Sequence, residues 1–132
     1  MTEIDNANMQ IGQVAARTEL SIRTIRHYDE VGLVTPSARS TGGFRLYTEA
    51  DIERLLVIRR MKPLDFTLNE MKELLEAIDT FNEPAATIAQ KTAATDYLQR
   101  CQARTRDSID KLRKHLAYAE ELDQVLTTRT KQ

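Results

Sequence analysis

The sequence predicts a mainly α-helical chain in which two short helices and a β-hairpin are followed by three further helices, the last much longer than the rest. Three observations carry that expectation. Ile22, Ile25, Tyr28 and Val31 recur at helical spacing. Gly32 and Pro36 then break the pattern, and Gly42-Gly43 mark a tight turn running into Phe44-Arg45-Leu46-Tyr47. From Ala85 to Gln132 there is no Gly or Pro. At 132 residues, with 30% charged residues, 5% aromatics and no Trp, the composition suits one compact domain with long solvent-facing helices attached.

Residues 1–9 read as a polar, loosely held arm. The opening MTEIDNANMQ has neither a basic start nor an apolar run, so no secretory signal is expected. No later segment approaches a membrane span, and the expected compartment is the cytoplasm. Ile11, Val14 and Ala15 predict a short helix over 10–17, and Arg17-Thr18-Glu19-Leu20 a turn. Ser21 is placed to cap the next helix, whose first N–H groups and Arg23 then sit together at an end suited to a phosphate or a base edge. Along that helix Ile22, Ile25, Tyr28 and Val31 form the inner stripe and Arg23, Thr24, Arg26 and His27 the outer face. A helix followed by a basic hairpin has the outline of a winged helix.

Thr48-Glu49-Ala50-Asp51 has the form of a capping box, with Ile52, Leu55, Leu56, Ile58 and Met61 as the apolar stripe up to Pro63. Thr67-Leu68-Asn69-Glu70 repeats it before Leu68, Met71, Leu74, Leu75 and Ile78. Thr80–Ala86 reads as a connector, with Thr80 or Asn82 as cap and Pro84 in the first turn of the last helix. A helix from about Thr87 to Leu126 would be roughly 60 Å long at 1.5 Å per residue, too long to stand alone in a small domain. Leu98, Ile109, Leu112, Leu116, Ala119 and Leu122 lie on its apolar side, the later ones spaced by three and four as in a two-helix coiled coil. No other segment remains to cover that seam, so a second copy of the chain is expected there.

Four motifs, IGQVA, TIRHYDEVGLV, GGFRLYTEADIERL and MKPLDFTLNEM, occur in the order seen in the mercury-resistance-regulator (MerR) family of bacterial transcription factors. The chain resembles that family from residue 11 to about 127. The resemblance implies a winged helix-turn-helix DNA-binding domain over 10–79, a connector over 80–86, a dimerisation helix over 87–127 pairing antiparallel with its copy, and a tail over 128–132. It also implies a homodimer on a palindromic promoter operator and DNA that is bent and untwisted so that RNA polymerase can use the promoter. No Ser/His/Asp arrangement, phosphate-cradling glycine loop or paired-carboxylate pocket can be assembled from the sequence, so no enzymatic activity is expected. The family usually has glycine where Glu19 and Asp65 stand and an aromatic where His27 stands. If residue 19 adopts positive φ, Glu costs roughly 1 kcal/mol relative to Gly. Asp tolerates that geometry better.

The candidate DNA-binding residues are Arg17, Ser21, Arg23, Thr24, Arg26, His27, Tyr28, Arg39 and Arg45. Arg23, Thr24 and His27 are read as facing base edges, against the alternative of an ordinary solvated face. Arg26, Tyr28 and Arg45 are read as phosphate contacts, Arg45 being thrown outward between Phe44 and Leu46 by strand alternation. Phe44 and Tyr47 are read as packing residues. The net charge of −1 argues against a protein that coats nucleic acid nonspecifically; residues 11–47 carry a local surplus of two positive charges.

The lone Cys101 excludes an intrachain disulfide or a multi-thiolate site. It is either a small apolar residue of the long helix or a thiol sensor favoured by Arg100 and Arg104. His115 reads as solvated rather than as a ligand, and no metal or cofactor is expected. Metal-sensing relatives carry cysteines where Thr87–Lys91 and Thr127–Gln132 have none, and no ligand-binding domain is expected after the long helix. No effector is assigned. The competing expectation is a coiled-coil adaptor that binds protein through the long helix, without sequence-specific DNA binding.

Overall fold

A computed structural model describes residues 8–131, and the expected looseness of residues 1–7 lies outside them. The order is α1 (Ile11–Thr18), α2 (Ile22–Glu30), β1 (Ala38–Arg39), β2 (Arg45–Leu46), α3 (Glu49–Met61), a 3-10 turn at Lys62–Leu64, α4 (Leu68–Asn82) and α5 (Ile88–Thr130). The chain divides into two units, one up to Glu76 and one from Ala77 onward.

The first unit is built on α3. Its capping box forms as expected, Thr48 Oγ1 accepting from the Asp51 N–H at 3.2 Å and Asp51 Oδ2 from the Thr48 N–H at 2.9 Å. Ile52, Leu55 and Ile58, one turn apart, are fully buried with Val14 of α1, Ile25 of α2 and Leu75 of α4. Replacing such a residue by Ala costs about 2–5 kcal/mol. The turn between α1 and α2 is tied to the same helix, because Arg59 donates to the Thr18 carbonyl at 2.8 Å.

Thr18 is itself buried, its hydroxyl donating to the Val14 carbonyl at 2.8 Å and accepting from the Leu20 N–H at 3.3 Å. Between these anchors Glu19 takes φ 59°, the left-handed geometry for which glycine is better suited. Asp65 does the same at φ 64° after the 3-10 turn. The end of α2 is closed by Gly32 at φ 74°, with the Gly32 N–H on the Asp29 carbonyl at 3.0 Å and the Leu33 N–H on the Tyr28 carbonyl at 2.8 Å. That paired closure drives Leu33 and Val34 into the core.

The wing is a two-stranded antiparallel hairpin, Ala38 opposite Leu46 and Arg39 opposite Arg45. Its turn carries Gly43 at φ 83°, and a side chain on Gly42 would meet the Phe44 ring at 3.3 Å. Two details depart from expectation. Tyr47 lies beyond the paired strand and instead exchanges both backbone hydrogen bonds with Met9, each 2.8 Å, so the chain is tied down at Met9 and not loose there. Phe44, expected to pack, is 73% exposed; the hairpin is too short to fold its tip onto the core.

Ile22 and Val31, at the ends of the predicted α2 stripe, are 38% and 45% exposed, and Leu68 at the start of α4 is exposed as well. Stripes lose their neighbours at helix ends, where one more turn runs past the core. α4 continues through Thr80 to Asn82, so neither residue caps the next helix. Thr87 does, accepting from the Gln90 N–H at 3.0 Å, and Pro84 falls in the turn before it. α5 then runs 43 residues, continuing past Leu126 to Thr130. Only Ala94 of it is buried, while Ile109, Leu112, Leu116, Leu122 and Leu126 are between 39% and 58% exposed.

Candidate nucleic-acid interface

α2 begins at Ser21, whose Oγ accepts from the Thr24 N–H at 3.0 Å and donates to Thr24 Oγ1 at 2.8 Å. Because the Thr24 oxygen takes that bond as acceptor, its own O–H remains a donor. Ile25 and Tyr28 point into the core and fix the roll of the helix. Arg23, Arg26 and His27, offset from them by about 100° per residue, are thereby held at the surface. Neither Arg23 nor Arg26 forms a hydrogen bond or ion pair within the described residues, so two guanidinium groups on one exposed helix face are left for an external acceptor. Tyr28 is nearly buried, and burial pushes its phenol above the ordinary range, keeping it a neutral O–H donor.

The remaining arginines of this region are held by the protein. Arg45 on β2 reaches back to α2, its two Nη atoms each donating to a different oxygen of Asp29 at 3.1 Å. Arg39 on β1 donates to the Gly43 carbonyl across the turn at 3.2 Å. Both line a shallow depression of about 270 Å³ with Pro36, Ser37 and Ala38. Arg17 is gripped by Glu49 through both Nη atoms, the closer at 2.6 Å, and also touches Met9 Sδ at 3.6 Å. That pairing, hydrogen bond first, raises the Arg17 pKa and lowers that of Glu49. Tyr47, buried at the base of the wing, has its phenol raised chiefly by burial and then by the nearby Asp29 charge.

The wing is fixed to α3 through a single carboxylate. Asp51 Oδ2 accepts from the Ser37 N–H at 3.1 Å, from the Ser37 hydroxyl at 2.8 Å and from the Thr48 N–H at 2.9 Å, while the residue is only 5% exposed. A helix carrying free arginines, with a basic hairpin anchored at a set distance beside it, is the arrangement that places one element in a DNA groove and the other on the flanking backbone.

Two family models match the chain: the MerR HTH family regulatory protein model over residues 9–78 and the MerR DNA-binding model over 52–119. The chain belongs to the MerR family. It is 45% identical over 82 residues to the HTH-type transcriptional activator mta of Bacillus subtilis, covering 62% of this chain and 32% of mta. It is 42% identical over 87 residues to the HTH-type transcriptional regulator CueR of Yersinia pestis, covering 66% of this chain and 60% of CueR. Among solved structures it resembles the transcription regulator PbrR691 of Ralstonia metallidurans in complex with lead(II), at 35% identity and TM-score 0.53 over 82% of each chain. The chain thus spans less than two thirds of the length of these two curated relatives.

Within this MerR-type framework the candidate DNA-binding residues fall into three groups. Arg23, Arg26, His27 and the Thr24 hydroxyl share the exposed start and outer face of α2, with Ser21 as its cap. Arg39 and Arg45 lie on the wing, each with a partner in the protein. Arg17 is turned to Glu49, and Tyr28 is buried. On α5, Leu98 and Cys101 are half-buried and Ala119 is exposed with its leucine neighbours.

Sequence reasoning missed the acidic partners Asp29 and Glu49 and the bracing role of Asp51. The first two pairs span 16 and 32 residues, separations at which no local pattern signals a contact. Asp51 was visible as half of a capping box, but its reach to Ser37 was not. Among the described residues no group of His, Cys, Asp and Glu is placed to hold a metal ion, and no helix is long and apolar enough to cross a membrane.

Proposed function

We propose that this MerR-type regulator acts in the cytoplasm as a homodimer on a palindromic promoter operator, with α2 in the major groove and the wing on the flanking phosphates. The observation that carries it is the α2 surface itself: Arg23 and Arg26 exposed and without a partner among the described residues, on a helix whose roll is fixed by Ile25 and Tyr28. Arg23 and Thr24 at the helix start meet base edges, Arg suiting guanine. Arg26, Arg45 and Arg39 engage phosphate, which supplies affinity but not sequence.

The exposed leucines of α5 are the surface on which a second copy pairs antiparallel, and two-fold symmetry then requires an inverted repeat in the DNA. Engaging both half-sites at once would constrain the path of the DNA between them, and in this reading that distortion presents the promoter to RNA polymerase.

The test is fluorescence anisotropy with a duplex taken from immediately upstream of the gene and a random duplex of equal length, each titrated with salt. The expected result is preference for the upstream duplex with two chains bound per duplex. Equal, weak binding to both duplexes by a dimeric protein would overturn this reading in favour of a protein-binding coiled coil.

A further inference from the structure

We propose that Asp29 is a positioning residue for DNA binding: its carboxylate, at the last turn of α2, holds the Arg45 guanidinium of the wing in the orientation that meets the phosphate backbone. This rests on the reading of Arg45 as a phosphate contact.

An acidic residue on a DNA-facing surface ordinarily opposes binding, because it lies within a Debye length, about 8–10 Å, of phosphates it repels. The geometry here gives it the opposite effect. The pair is bidentate, both Nη atoms of Arg45 reaching separate oxygens of Asp29 at 3.1 Å. A guanidinium has five N–H donors in a rigid plane. Two are taken by Asp29, and the Nε–H and one N–H on each Nη remain directed away from it. A long side chain that would otherwise sample many rotamers is thus held before DNA arrives.

The bond also links recognition helix to wing, since Asp29 and Arg45 belong to different elements and no hydrogen bond between α2 and the hairpin other than theirs occurs among the described residues. The wing strands are two residues each, too short to fix the tip alone. Asp51 braces the start of β1 from α3, and Asp29 braces β2 from α2, so the hairpin is held from both sides. The Arg45 side chain is 49% exposed and that of Asp29 only 23%, so the guanidinium is offered outward while the carboxylate is tucked behind it.

Ordering one long side chain costs binding about 0.7–1.4 kcal/mol, which corresponds to roughly 3- to 10-fold in affinity. Anisotropy with the upstream duplex and the random duplex measures it. The expected result is that Asp29→Asn weakens binding to both by about 3- to 10-fold, that Asp29→Glu restores most of it, and that in an Arg45→Gln background Asp29→Asn produces no further weakening. Should Asn disturb the last turn of α2, as judged by circular dichroism and Tm, Asp29→Ser replaces it.

Binding by Asp29→Asn as tight as or tighter than that of the parent would overturn the proposal, showing a repulsive acid. So would equal weakening with and without Arg45. If Arg45→Gln alone leaves binding and its salt dependence unchanged, the wing reading itself fails, an outcome read from a variant that leaves Asp29 intact.

Discussion

Arg23 and Arg45 carry the same guanidinium in two settings, and the difference should be measurable. Arg45, braced on the wing, meets phosphate in our reading, so Arg45→Ala should weaken binding to operator and random DNA alike and lower the log–log salt slope by about 0.9. Arg23, free on the first turn of α2, should when changed to Ala relax preference at one base pair of each half-site. Affinity measured against salt and against single-base operator variants separates the two. Glu19 gives a stability test at the same scale. It sits at φ 59° with a buried Thr18 on one side and the Arg59 clamp on the neighbouring carbonyl, so the backbone cannot relax around it. Glu19→Gly should therefore stabilise the fold by about 0.5–1 kcal/mol, raising Tm by about 2–6 °C. The strain is implied by the family's usual glycine at this position, whereas Asp29 and Glu49 carry no such sign, because a salt bridge across 16 or 32 residues leaves no trace in local order.

The helices were largely legible as elements. Capping boxes at Thr48, Thr67 and Thr87 and the Gly32 stop are local events, each settled within four residues, and three of those four signals were read at their true places. The start of α5 near Thr87 agrees with expectation but its cap does not, because Thr80 and Asn82 are equally good caps by type and only the continuation of α4 excludes them. The wing was legible as a turn but not as a surface. Alternation assigns faces only where a strand is long enough to lie on something, and strands of two residues leave Phe44 in solvent. What fixes the hairpin is bracing by the Asp51 and Asp29 carboxylates, not pairing. Asp51→Ala would remove the acceptor of the part-buried Ser37 and Thr48 N–H groups, at a cost of about 1–3 kcal/mol. The expected outcome is a large fall in Tm, with DNA affinity lost beyond what unfolding explains; a variant that melts like the parent would show that the brace is dispensable.

Across the molecule, burial is unevenly divided. The unit up to Glu76 holds a continuous core from Met9 to Leu75, while the 43 residues of α5 contribute one buried side chain. Spacing alone predicts the seam along Ile109, Leu112, Leu116 and Leu122, and the structure leaves those side chains exposed. Replacing Leu112 and Leu116 by Asp would set charges against each other in the proposed interface, at several kcal/mol. Dimer and operator binding should vanish together in sedimentation and anisotropy; a folded monomer that binds a full operator with unchanged affinity would refute the pairing.

The length of α5 has a consequence for how the cell sets the activity of such a protein. A helix with its apolar side in water lacks the packing that supplies most helical stability, and whatever covers that side stabilises it by mass action. If the cover is another copy, Tm should climb with protein concentration, and occupancy of the operator should rise with the square of the amount synthesised while monomer predominates. Gene dosage would then act as an input in its own right, and a modest change in translation would move the promoter through most of its range without any small molecule being sensed.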